Sequence, residues 1–158
     1  MSWFYIIPIL ILLQWGFKKM NIVSSTYKDL AVKYGTLYKV DPALIMAIIQ
    51  QESGGNPVAI GLSGEIGLMQ ITPIALQDVM DKSGLSYKQY QLFDPDINIQ
   101  VGSYFISYLV RYYDGSYFNA LKAYNGGITG TKNNPSLSVK YAGEVIEKYN
   151  NFKMEFLV

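Results

Sequence analysis

The stretch "IIQQESGGNPVAI", residues 48–60, sets a single glutamate, Glu52, where an apolar run stops and a turn of glycine, asparagine and proline begins. Histidine and cysteine are absent from the chain. Imidazole bases, thiol nucleophiles, disulfides and the usual zinc ligands are therefore excluded, no metal or cofactor is expected, and proton transfer falls to carboxylates, lysines and tyrosines. Ile45, Ile48 and Ile49 precede Glu52 at helical spacings and share its face. A carboxyl at the edge of such a stripe is partly withdrawn from water, which disfavours its charge and leaves it protonated near neutrality, the state a general acid needs. The negative end of the helix dipole pushes the same way. Spacing alone is equally compatible with a last-turn glutamate in open water.

Two later segments bear on that choice. "SGEIGLMQIT", with Gly64 and Gly67, reads as an irregular loop or short hairpin, whose bare backbone offers N–H and C=O groups to the amide and hydroxyls of a ligand. Gln70 can both donate and accept. Met69 taken singly reads as a core gap-filler and Glu65 as a solvated loop residue. "ALKAYNGG" pairs Tyr124 with Asn125, which taken singly read as a core tyrosine and a helix C-cap. With 14 tyrosines in the chain, a tyrosine near a cleft is no evidence by itself for sugar stacking.

These residues need a scaffold. Residues 24–39 suit a helix with Leu30, Val32, Tyr34, Leu37 and Tyr38 as its pattern, weakened at Gly35. Asp41 and Pro42 start a second helix that Gly54 and Gly55 end, and Thr72 with Pro73 repeats that grammar. "DPDINIQVGSYFISYLVRYYDG" reads as a long amphipathic helix, "SYFNALKAYNGG" as a shorter one and "SLSVKYAGEVIEKYNNF" as the last. The expectation is one mainly α-helical domain over residues 24–158. Thirteen basic against twelve acidic residues, with Arg111 the single arginine, give no footprint for nucleic acid.

Residues 1–23 differ in kind. From Trp3 to Phe17 no side chain is charged, and Trp3, Tyr5 and Trp15 suit a membrane interface. The run is short for a bilayer span, yet it lacks a preceding basic residue and a small-x-small cleavage site, so an uncleaved anchor through residues 3–17 is favoured over a cleaved signal. Lys18 and Lys19 follow it, a placement that by itself puts the body on the cytoplasmic side.

The ordered strings "ES", "GLMQ", "AYN" and "YAGEVIEKY", with "DPDINIQVGSYFISYL" at the place of an Asn-x-x-x-Gly helix, resemble the catalytic domain of soluble-lytic-transglycosylase-type lytic transglycosylases, relatives of goose-type lysozyme. The resemblance spans roughly residues 28–150. It implies a lysozyme-like helical fold with a groove for the glycan strands of peptidoglycan. It implies Glu52 as the catalytic acid and base, and Ser53, Gly67, Leu68, Met69, Gln70, Tyr124, Asn125 and Tyr141 around the substrate. Glu65 stands where many members have alanine. The same resemblance leaves open a hydrolytic outcome like that of goose-type lysozyme, or a non-enzymatic wall-binding scaffold. A body working at the cell wall, facing the periplasm or carried on a virion membrane within an envelope-spanning or virion assembly, conflicts with the placement of Lys18 and Lys19.

Overall fold

The computed structural model describes residues 25–156, so the expected anchor, residues 1–23, lies outside the described residues. Among those residues the chain is helical with no strand longer than isolated bridges. Helix α1 occupies residues 25–38, α2 Pro42–Glu52, α3 Pro73–Ser83, α4 Pro95–Tyr112, α5 Tyr117–Gly126, α6 Ile128–Asn133 and α7 Val139–Glu155, with a 3-10 turn at Gln89–Phe93. The 3-10 turn and α6 carry no sequence signal long enough to predict them. Among the described residues no helix is long and apolar enough to cross a membrane.

Three helices begin alike. Asp41, Thr72 and Asp94 each accept a backbone N–H with the side chain, and a proline fills the first turn, where its missing N–H is not needed. Asp41 divides its carboxylate: Oδ1 accepts from Ala43 N at 2.9 Å and Oδ2 from Tyr149 Oη of α7 at 2.8 Å. The start of α2 is thus tied to α7.

Every residue of α2 from Ala43 to Ile49 is buried, so the helix is enclosed on all sides instead of exposing an outer face. Helix α7 packs along it, with α4 on another side. At roughly 1.5–3 kcal/mol for each large apolar side chain removed from water, this packing fixes α2 more firmly than propensity could.

In α1 the buried stripe is Tyr27, Ala31 and Tyr34, with Tyr38 packed beside it. Val32 and Leu37, expected in that pattern, are 44% and 60% exposed. Gly35 has a packing reason: a Cβ there would come within 2.7 Å of the Val40 carbonyl, which lies where the chain reverses into α2. The helix accepts the propensity cost of a glycine for that close approach.

Candidate active site

Glu52 occupies the last turn of α2 and Ser53 caps it, the Ser53 N–H donating to Ile49 O at 3.1 Å. The carboxyl is largely withdrawn from water, and Tyr141 Oη of α7 donates a short hydrogen bond to its Oε1. Burial raises the Glu52 pKa from 4.5 to about 7, against the Tyr141 hydrogen bond, which favours the charged form, and with help from the negative charge of Glu65. Burial also pushes the Tyr141 and Tyr124 hydroxyls well up, and the Glu52 charge adds to both, so these two tyrosines stay neutral donors beside the acid.

The loop after α2 folds back as two antiparallel bridges, Ile60 with Ile66 and Ile66 with Ile71. Its anchors come from several elements. Ser53 Oγ donates to Leu68 O at 2.8 Å and Tyr124 Oη of α5 to Met69 O at 2.8 Å. Asn98 of α4, fully buried, accepts from Met69 N at 2.8 Å and donates to Ile66 O at 2.9 Å and Leu92 O at 2.8 Å. Gly67 has φ +79°, and a Cβ on it would collide with the Asn98 amide. Gly102, one turn after Asn98 on α4, leaves the space that the Met69 side chain fills. Asn98 and Gly102 therefore shape the loop, a role that sequence reasoning did not assign them. The visible signal was a polar residue and a glycine four apart on an apolar helix face.

Leu68 and Met69 are 0% exposed, so their side chains belong to the core and cannot meet a ligand. The core reading of Met69 taken singly matches this burial; what the two residues can offer is backbone, and both carbonyls are already engaged. Gln70 takes a positive φ of 45° and donates from Nε2 to Gly67 O at 2.9 Å. Asn125 is exposed inside α5 and accepts from Ser138 Oγ at 2.7 Å, while Gly127 caps that helix.

A cleft of about 530 Å³ runs beside the loop, lined by Gln70, Ile74, Phe105, Tyr124, Asn125 and Ile128 among others. It brings together Gln70, Tyr124 and Asn125 of the expected site. Glu52, Ser53, Gly67 and Tyr141 are outside its lining and join it through Tyr124, which lines the cleft and interacts with the Glu52 charge. The arrangement is an acid near neutrality, two neutral tyrosine donors and a partly apolar trough. Among the described residues no cluster of acidic side chains is suited to a metal ion.

A helical domain with one raised carboxyl beside a cleft is the class that the geometry defines. The family model described as the transglycosylase SLT domain matches residues 29–151, and the chain belongs to that family. It is 36% identical over 132 residues to membrane-bound lytic murein transglycosylase C of Photorhabdus laumondii, covering 77% of this chain and 36% of that protein. The protein of the same name from Yersinia pestis is 39% identical over 112 residues, covering 64% of this chain and 31% of its own length. The chain thus spans about a third of the length of these curated relatives. Among solved structures, the 70 kDa soluble lytic transglycosylase of Escherichia coli superposes with a TM-score of 0.72 at 25% identity, over 83% of this chain and 24% of that one. The lytic transglycosylase Slt of Pseudomonas aeruginosa, solved as an inactive glutamate-to-glutamine mutant, gives 0.64 at 25% identity, over 78% and 22%.

Proposed function

We propose that the chain is a peptidoglycan lytic transglycosylase, cleaving the β-1,4 bond between MurNAc and GlcNAc and leaving 1,6-anhydroMurNAc ends. The observation that carries this reading is Glu52, a shielded carboxyl raised to about 7 beside the cleft that holds Gln70, Tyr124 and Asn125. The names of the Photorhabdus and Yersinia relatives support it, as does the inactivity of the glutamate-to-glutamine Pseudomonas mutant.

Near neutrality such a group can both give and take a proton. Protonated Glu52 donates to the leaving GlcNAc oxygen as the glycosidic bond breaks, while the N-acetyl oxygen of MurNAc supports the positive charge at C1. Tyr141 then holds the carboxylate that remains. Ionised Glu52 removes the proton from the C6 hydroxyl of the same MurNAc, O6 bonds to C1, and the acid is restored without consuming water. Gln70, Tyr124 and Asn125 line the trough for the glycan, and Ser53 with Gly67 through Met69 keeps its loop in place.

The setting proposed is local wall opening, with residues 3–17 as the membrane attachment and the body on the cell-wall side of a cellular or virion membrane. Digestion of purified peptidoglycan followed by mass spectrometry of the released muropeptides tests the reaction. Anhydro ends are expected. Hydrated ends would mean lysozyme-like hydrolysis, and binding without cleavage would mean a scaffold; either result overturns the proposal.

A further inference from the structure

Asp41, Thr72, Asp94 and Ser116 each start a helix by accepting a backbone N–H of its first turn with the side chain. Ser138, at the start of α7, does not. Its backbone is left-handed, with φ 62° and ψ 15°, a conformation that a residue with a Cβ adopts at a steric cost. Its hydroxyl donates instead to Oδ1 of Asn125 on α5, at 2.7 Å. The surroundings permit this approach. Gly126 is bare where a Cβ would stand 2.8 Å from both Ser138 Oγ and Leu137 Cδ2, and Lys122 of α5 donates to Pro135 O, which ties the same loop to the same helix. Ser138 thus carries backbone strain and forgoes its cap, and in return it holds a side chain that lines the cleft.

We propose that Ser138 is a positioning residue for the substrate: it fixes the Asn125 side-chain amide so that Nδ2 is presented to a carbonyl acceptor of the glycan, such as the oxygen of an N-acetyl group. This inference rests on the reading of the cleft as a glycan site. Asn125 is exposed, and an exposed amide without a partner samples several rotamers. With Oδ1 engaged by Ser138, its two N–H donors are left over, and among the described residues no hydrogen bond uses them. A serine that served only to start α7 would turn its hydroxyl towards the N–H groups of Lys140 and Tyr141. The helix instead starts on the backbone of Ser138, whose carbonyl accepts from Ala142 N at 2.9 Å. The first turn of α7 therefore reaches the acid through Tyr141 and the cleft through Ser138. A glycan bound between them meets donors whose directions are set before it arrives, which lowers the ordering cost of binding.

Ser138→Gly removes the hydroxyl and relieves the left-handed strain, so a structural role and a positioning role move in different directions. In the full chain this variant is expected to match or exceed the wild type in thermal midpoint, yet to bind tri-N-acetylchitotriose roughly 5-fold more weakly. Nitrogen-15 relaxation of the Asn125 side-chain amide in the ligand-free protein should show faster motion than in the wild type. In an Asn125→Ala background Ser138→Gly should cost no further affinity, because no amide is left to hold. On purified peptidoglycan KM should rise with kcat little changed. An unmoved Asn125 amide overturns the proposal, as does wild-type affinity in Ser138→Gly, an equal loss in both backgrounds, or a wild-type chain that does not bind the trisaccharide. Coupling in binding without any cleavage of peptidoglycan would leave this inference standing and remove the transglycosylase reading alone.

Discussion

Helix α2 buries seven consecutive side chains, Ala43 to Ile49, whereas the loop after it is pinned by hydrogen bonds from Ser53, Asn98 and Tyr124. One side of the site rests on close-packed apolar contact, which is non-directional and spread over many atoms. The other buries Ile66, Leu68, Met69 and Ile71 but takes its path from a few directional contacts, each of which can be removed by changing one residue. The acid therefore stands on the stiff element. Of the groups expected to meet the sugar, Gln70 stands on the element whose shape is set bond by bond, and Tyr124 and Asn125 stand on α5.

The largest effect should leave both regions standing. Glu52→Gln is expected to lower turnover on purified peptidoglycan by about 10²-fold or more, with an unchanged far-ultraviolet circular dichroism spectrum. The same variant reports on burial. A carboxyl near 4.5 when unfolded and about 7 when folded binds more protons in the folded state between those values, so stability falls as pH rises through that window. The deficit is complete above the folded value and amounts to about 3 kcal/mol. Glu52→Gln should abolish this slope, making the variant the more stable protein at pH 8 in denaturant titrations and giving it no such advantage near pH 4.

Asn98→Ala attacks the loop alone. It strands the Met69 N–H and the Ile66 and Leu92 carbonyls, at an expected cost of about 3–5 kcal/mol, and hydrogen exchange should quicken at residues 66–70 well before α2. Equal loss of protection in both regions would erase the contrast drawn between them. Gly102→Ala pushes against the Met69 side chain and should cost about 1–3 kcal/mol by the same measurement.

Tyr141→Phe is the mildest for the fold and the sharpest for the acid. It removes the hydrogen bond that favours ionised Glu52, so the Glu52 midpoint should rise and the alkaline limb of the rate profile move to higher pH, with turnover reduced roughly 10-fold. A fall in the midpoint would show that the bond is made mainly to the protonated form.

The two regions differed equally in how far they could be read from sequence. The apolar run of α2 and the Asp-Pro and Thr-Pro starts of three helices are local signals, and they place those elements closely. The facing of α1 was harder to read. Its sequence offers Val32 and Leu37 as readily as Ala31, and only the neighbouring helices decide which side is covered. Spacing left the burial of Glu52 open, because the cover comes from Tyr141, 89 residues away. The Asn-x-x-x-Gly pattern of Asn98 and Gly102 was visible, but its role was not: two partners of Asn98, Ile66 and Met69, lie about thirty residues earlier, and no periodicity links a polar helix residue to a distant carbonyl.

The divided carboxylate of Asp41 has a mechanical meaning. Helices α2 and α7 are bolted together at both ends of α2, by Tyr149 on Asp41 at one end and by Tyr141 on Glu52 at the other, where Gln51 also donates to Glu144. The bolts stand about 16 Å apart along α2 and about 12 Å apart along α7. A pair of rods fastened at two such points can neither slide nor roll without breaking a bolt. The aim of the acid thus depends on a tyrosine more than two helical turns from it, and Tyr149 is the position where slack can be let into the mechanism without touching it.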